Sequence, residues 1–167
     1  DALVCNAAVN PYFGPLSGIS DDQWDKIMES NIRSNLWLAN LAAPGMAEHG
    51  GGSISIVSSI GGLKGSSKLG AYGVSKAADF GLARALAVEL GPKNIRVNAI
   101  APGLVRTDFA RALWEDKANL DKRLETSPLK RIGEPDDIGG VAAFLASRAG
   151  SFITGQVIVA DGGVTIA

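Results

Sequence analysis

The sequence predicts an α/β fold, a doubly wound parallel sheet with helices on both faces, and three observations carry that prediction. Short apolar runs of strand length alternate with long helix-patterned stretches in the order βαβαβαβ. The intervening stretches are too long for hairpins, so successive strands run parallel through right-handed crossovers. Glycine, proline, asparagine and serine close the runs, which are the residues that punctuate such elements.

Ala2-Leu3-Val4-Cys5-Asn6 is an apolar run that ends in polar and turn residues, and so reads as a buried strand. Asn10-Pro11 and Gly14-Pro15 form the loop after it. Ser20 reads as an N-cap, with Asp21 and Asp22 in a first turn whose dipole favours negative charge. Trp24, Ile27, Met28, Ile32 and Leu36 then recur at helical spacing, so a helix runs to residue 47 and packs Trp24 and Trp37 on its apolar face. Pro44 is expected to kink or shorten it, and His49 with Gly50-Gly51-Gly52 to close it, His49 as a cap. Residues 53–58 form the second strand and 61–69 a glycine- and serine-rich loop. An alanine-rich helix covers 71–90, ended by Gly91-Pro92. A third strand over 95–100 stops at Pro102-Gly103, where Asn98 is read as a residue that fixes strand ends. A partly helical stretch covers 104–130, and a helix over 135–147 opens with Pro135 in its first turn. The last strand, 156–160, ends at Asp161-Gly162-Gly163. The whole, 1–167, reads as one domain without an internal linker.

Composition narrows the function. The apolar share is 46% and the charged share 20%, ordinary for a soluble globular protein. A net charge of −1 gives no attraction to nucleic acid or to an anionic membrane, which leaves a small molecule as the expected partner. The lone Cys5 cannot form an internal disulfide and reads as a small core residue; with a single histidine a zinc site is not expected. No apolar run reaches the ~20 residues that span a bilayer, and no signal peptide is visible, so the cytoplasm is the expected compartment. The chain opens at Asp1 directly into an apolar run, which reads as the middle of a domain.

In doubly wound sheets ligands sit beyond the carboxyl ends of the strands, and here that edge holds Asn6, Ser59, Pro102-Gly103 and Gly162. Tyr72 and Lys76, four apart at the start of the second long helix, share one helix face. A nearby ammonium favours phenolate and is expected to lower the tyrosine pKa, fitting Tyr72 to exchange a proton with a carbonyl or alcohol oxygen. Ser59 ends the adjoining strand and can hold the same oxygen. Taken alone, a Tyr-x-x-x-Lys pair is weak evidence, since on a surface helix it is ordinarily a solvated pair.

The surrounding motifs decide between these. Asn6-Ala7-Ala8, Asn31, Ile56-Val57-Ser58-Ser59, Tyr72-Gly73-Val74-Ser75-Lys76, Ile95-Arg96-Val97-Asn98-Ala99-Ile100, Pro102-Gly103-Leu104-Val105-Arg106-Thr107, Arg131-Ile132-Gly133-Glu134-Pro135 and Ile153-Thr154-Gly155 before Asp161-Gly162-Gly163 follow one another in order. Together they resemble the classical short-chain dehydrogenase/reductase family along the whole chain. The resemblance implies a Rossmann-like sheet and a nicotinamide cofactor, NAD(H) or NADP(H). It also implies an oxidoreductase that interconverts secondary alcohols and ketones or aldehydes. It makes Tyr72 the general acid/base, Ser59 the residue that orients the substrate oxygen, and Lys76 both the modulator of Tyr72 and a ligand of the nicotinamide ribose. Asn31 would hold a water that relays protons from Lys76, with its carbonyl exposed to that water. Asn6 and Ala7 would line the ribose side, and Val105 and Thr107, beyond Pro102 and Gly103, would hold the carboxamide. Asn6-Ala7-Ala8-Val9-Asn10-Pro11 and Arg111-Ala112-Leu113-Trp114-Glu115-Asp116-Lys117 look most like the NADP-dependent carbonyl reductases that act on retinal, quinone-like and α-dicarbonyl compounds. Phe109, Leu113 and Trp114 lie where such enzymes carry a mobile substrate lid. Homodimers or homotetramers built on the long helices are implied for the complete protein.

Two departures stand out. Ala8 replaces the glycine that many members carry, so that position should avoid positive φ. The strand, glycine-rich turn and helix that open the family and bind the pyrophosphate have no counterpart, so the amino-terminal half of the fold is expected to be missing. Gly50-Gly51-Gly52 precedes a strand and Gly61-Gly62 enters a loop; both read as turns. Besides the oxidoreductase, the sequence leaves open an epimerase or dehydratase of the extended branch and a catalytically silent fragment or structural subunit. An open strand edge is also expected to make the isolated chain associate.

Overall fold

The computed structural model describes residues 1–167, apart from the side chain of Asn119. Four strands form a parallel sheet in chain order: β1 (Ala2–Cys5), β2 (Gly52–Val57), β3 (Ile95–Pro102) and β4 (Val157–Ala160). Side chains alternate across a strand, and the registers Ile54↔Val97 and Ile56↔Ala99 line one face with apolar residues. That face packs against α2 (Ser34–Glu48) and α3 (Gly70–Leu90) through Ala39, Ala43, Met46, Phe80, Ala83 and Leu86. Ile54 and Ile56 are fully buried there, each contributing about 1.5–3 kcal/mol by leaving water. The opposite face meets α6 (Pro135–Ala146), to whose Leu145 carbonyl Ser53 donates a hydrogen bond. Helices therefore cover both faces, as the sequence predicts.

The first long helix is not one regular helix. It opens as α1 (Asp21–Met28), capped reciprocally by Ser20 and Gln23. It then widens into a π turn over Glu29–Arg33 and continues as α2. In a straight α-helix a four-residue series drifts by about 40° per step. The wider turn takes back much of that drift, so Ile27, Asn31, Asn35, Ala39 and Ala43 all stay buried. The expected apolar face holds at Ile27, which is fully buried, and fails at its far end. Trp37 is 53% exposed, with Arg33 over its ring, and Leu36 faces outward as well. Nor does Pro44 shorten the helix, which is held to Glu48 by the burial of Ala43 and Met46. His49 caps the end as expected, its Nδ1 2.7 Å from the Gly45 carbonyl.

The third strand runs two residues beyond its expected end, because Ala101 and Pro102 still pair with Val159 and Ala160. Asn98 does fix strand ends: it donates to the Ile153 carbonyl and accepts from the Gln156 amide. After β3 come α4 (Arg111–Trp114) and α5 (Lys117–Glu125), within the stretch expected to be partly helical. At the start of α6, Asp137 takes two hydrogen bonds from Arg131 and one from the Glu134 amide, which hold its carboxyl down at about 2. Among the described residues, no helix is long and apolar enough to cross a membrane.

Candidate active site

Because all four strands are parallel, their carboxyl ends share one edge, and Asn6, Ser59, Gly103 and Asp161 lie just beyond it. Ser59 leads into a tight turn, Ile60–Gly62, and its Oγ accepts the Gly61 amide at 3.0 Å. That turn lies directly on the first turns of α3. A Cβ on Gly62 would sit 2.6 Å from the Lys76 carbonyl carbon and 2.7 Å from the Ala77 nitrogen; one on Gly73 would sit 2.9 Å from the Gly61 oxygen. Only glycines allow that approach. Ser58 reinforces it by donating to the Lys76 carbonyl at 2.7 Å. The result sets Ser59 beside the half-buried Tyr72, close enough for its hydroxyl to pull the Tyr72 pKa down.

The Lys76 ammonium lies 5.7 Å from the centre of the Tyr72 ring. It donates to the Val57 carbonyl at 2.9 Å and to Asp79 Oδ2 at 3.2 Å, and both side chains of this ion pair are buried, 1% and 0% exposed. Asp79 Oδ1 accepts from Asn35 Nδ2 at 3.0 Å, and the same Nδ2 donates to the Asn31 carbonyl at 2.7 Å. Neither Asn35 nor Asp79 figured among the candidates from sequence. The signal was present: Asn35 follows Asn31 by one helical turn, and Asp79 follows Lys76 by three residues.

This pair reverses one expectation. Tyr72 is pushed above its ordinary pKa, first by burial and further by the charge of Asp79, while the Ser59 hydroxyl pulls it the other way. The ammonium that was to lower it is already met by a carboxylate. Burial pushes Asp79 upward as well, against the pull of Lys76 and Asn35. Asn31 is fixed on three sides. Its side chain clamps the loop after β1, accepting from the Val9 amide and donating to the Val9 carbonyl and to Ser75. Its own carbonyl is buried and taken by Asn35, so it does not face solvent as expected.

Asn6 and Ala7 are exposed beyond β1. Ala8 avoids positive φ, as its methyl requires; among the described non-glycine residues only Asn94 and Lys130 adopt it. Beyond Pro102-Gly103, Val105 forms a bridge with Gly133, and Thr107 Oγ1 accepts the Ala110 amide. Phe109, from that segment, approaches Tyr72 with ring centroids 6.1 Å apart. Trp114 stays behind it, donating to the Thr107 carbonyl under Arg106. Clefts of about 450 and 480 Å³ flank α5 and α6, and Tyr72 lines neither. An ammonium and two hydroxyls, from Lys76, Tyr72 and Thr107, suit the ribose and carboxamide of a nicotinamide. Among the described residues no glycine-rich turn from a strand into a helix offers a seat for its phosphates.

A family model described as enoyl-(acyl carrier protein) reductase matches residues 1–165. Dehydrogenase/reductase SDR family member 4 of Bos taurus is 47% identical over 163 residues, 98% of this chain and 58% of that protein. A 7α-hydroxysteroid dehydrogenase solved with NADH and 7-oxo glycochenodeoxycholic acid superposes with a TM-score of 0.91 at 36% identity, over 98% of this chain and 63% of that one. A gluconate 5-dehydrogenase from Burkholderia cenocepacia, solved with NADP and tartrate, gives 0.95 at 32% identity, over 100% and 65%. The chain thus spans about three-fifths of the length of the relatives it matches. On this likeness in sequence and fold, the chain belongs to the short-chain dehydrogenase/reductase family.

Proposed function

We propose that the protein built on this site interconverts a secondary alcohol and a ketone or aldehyde. The observation that carries the reading is the grouping of Tyr72, Ser59 and Lys76 beyond the carboxyl ends of the strands, with the Lys76 ammonium 5.7 Å from the Tyr72 ring centre and the Ser59 turn packed on the first turns of α3. The nicotinamide, when bound, supplies or accepts the hydride. Tyr72 gives the proton to the carbonyl oxygen in reduction and takes it back in oxidation. Ser59 donates a second hydrogen bond to the same oxygen. Lys76 holds the ribose, Val105 and Thr107 the carboxamide, and Asn6 and Ala7 the ribose side, with Pro102 and Gly103 shaping the turn between them. Asn31 acts by fixing the loop after β1. Relatives named for a hydroxysteroid and for gluconate support a dehydrogenase of secondary hydroxyls. The exposed Phe109 against Tyr72 favours apolar carbonyls such as aromatic ketones and α-dicarbonyls. The test is a titration with NADH and with NADPH, followed by turnover of a panel of ketones, dicarbonyls and secondary alcohols. Nucleotide binding with carbonyl-dependent oxidation is the expected result. Binding without turnover of any carbonyl or alcohol would defeat the reading.

Leu41 and Val88 on the two long helices are 80% and 81% exposed, which supports packing of the complete protein into dimers or tetramers. The double variant Leu41→Asp/Val88→Asp is expected to sediment as a smaller species; an unchanged sedimentation coefficient would remove these helices from the interface.

A further inference from the structure

The buried ion pair between Lys76 and Asp79 needs an explanation that stability does not supply. Removing two charges from water largely offsets their attraction, and an apolar pair of similar volume commonly does as well. The surroundings would accept one: Ala39, Phe80 and Ala83 are all buried close by in sequence on the same two helices. Yet Asp79 is held on both oxygens, by Lys76 Nζ at 3.2 Å and by Asn35 Nδ2 at 3.0 Å, and Asn35 is itself fixed to the Asn31 carbonyl. A carboxylate anchored in this way has a set position relative to the ammonium.

We infer that Asp79, anchored by Asn35, is a positioning residue that holds the Lys76 ammonium and balances its charge, and so sets the pH at which Tyr72 exchanges its proton. The inference rests on the proposed role of Tyr72. Asp79, Lys76 and Tyr72 lie on one face of α3, seven residues from end to end, so the carboxylate acts on the phenol through the ammonium between them. The titratable group facing them from β1 is the Cys5 thiol, pushed up to about 11 by burial and then by Asp79. From the α2 side come the uncharged amides of Asn31 and Asn35, and from β2 and its turn the Val57 carbonyl and the hydroxyls of Ser58 and Ser59. With the carboxylate ionised, the pair carries no net charge toward Tyr72, and the phenol keeps its proton to higher pH. With the carboxylate removed, the ammonium stands unbalanced beside the ring and favours phenolate.

Asp79→Asn removes the charge while keeping the shape: its one amide oxygen can still accept from Lys76, and its NH2 gives up the bond that Asn35 donates. The full chain is titrated without cofactor or substrate, and the ultraviolet phenolate spectrum of Tyr72 is obtained as the difference from the Tyr72→Phe variant. The midpoint is expected to fall by about one pH unit or more in Asp79→Asn. In the holoenzyme, the acid limb of kcat/KM for alcohol oxidation should move down by the same amount. Asp79→Leu removes charge and hydrogen bonds together and is expected to move the midpoint in the same direction. An unchanged midpoint in a folded variant overturns the inference, and so does loss of the fold in both variants, which would assign the pair a structural role. If no alcohol or carbonyl is turned over, the proposed function fails while the phenolate titration still reads what Asp79 does.

Discussion

Replacing Tyr72 by phenylalanine is expected to lower kcat for carbonyl reduction by about 10²–10⁴-fold, the usual share of a positioned proton donor. The change removes one oxygen and leaves the ring, so the packing against Phe109 persists. Ser59 remains to polarise the carbonyl, which is why some turnover should survive. Nucleotide affinity should fall by no more than the roughly 10-fold of one lost hydrogen bond, because Lys76 keeps its bonds to Val57 and Asp79. The check is a kcat and KM measurement beside a nucleotide titration and a melting curve. A variant that keeps near-normal kcat would show that another group moves the proton.

The second large effect is expected at a residue that touches no substrate. In Gly62→Ala the new methyl would meet the backbone of Lys76 and Ala77 at 2.6–2.8 Å, a contact that rotamer changes cannot relieve. Either the turn or α3 must move. Overpacking of this kind costs about 1–3 kcal/mol. The movement separates Ser59 from Tyr72, and a displacement near 1 Å between reacting groups can cost about 10²-fold in rate. Both a lower denaturation midpoint and a kcat loss are therefore expected. Loss of stability with kcat intact would mean that Ser59 and Tyr72 move together as one unit.

The sequence made the order of elements legible because short β-branched segments such as 53–58 and 95–100, with Ile54, Ile56, Val97 and Ile100, alternate with long helix-patterned stretches and are closed by Gly, Pro and Asn. Tyr72, Lys76 and Ser59 were legible for another reason: helix spacing and strand termini are local properties. What escaped was non-local. Asp79 and Asn35 are polar residues on helices, where an exposed position is the ordinary expectation; only their pairing across two helices makes them buried. The exposure of Trp37 was within reach of the sequence: ten residues after Ile27, it stands about 280° round a regular helix, away from the buried face. The reversal at Tyr72 came first from its burial and then from the charge of Asp79, and helix spacing shows neither.

The π turn over Glu29–Arg33 has a consequence for how this helix tolerates changes in length. A wide turn is a place where one residue can be deleted and the backbone can close into regular α-helix with its hydrogen bonds remade. Elsewhere in the helix such a deletion would have no slack to consume. The reprieve is only for the backbone: losing Ile32 or Arg33 would leave Asn31 and Asn35 three positions apart, about 60° out of line on a regular helix. Asn31 and Asn35 could not then both keep their partners on α3. A shortened chain of this kind would be folded and helical, with its carboxylate network unstrung.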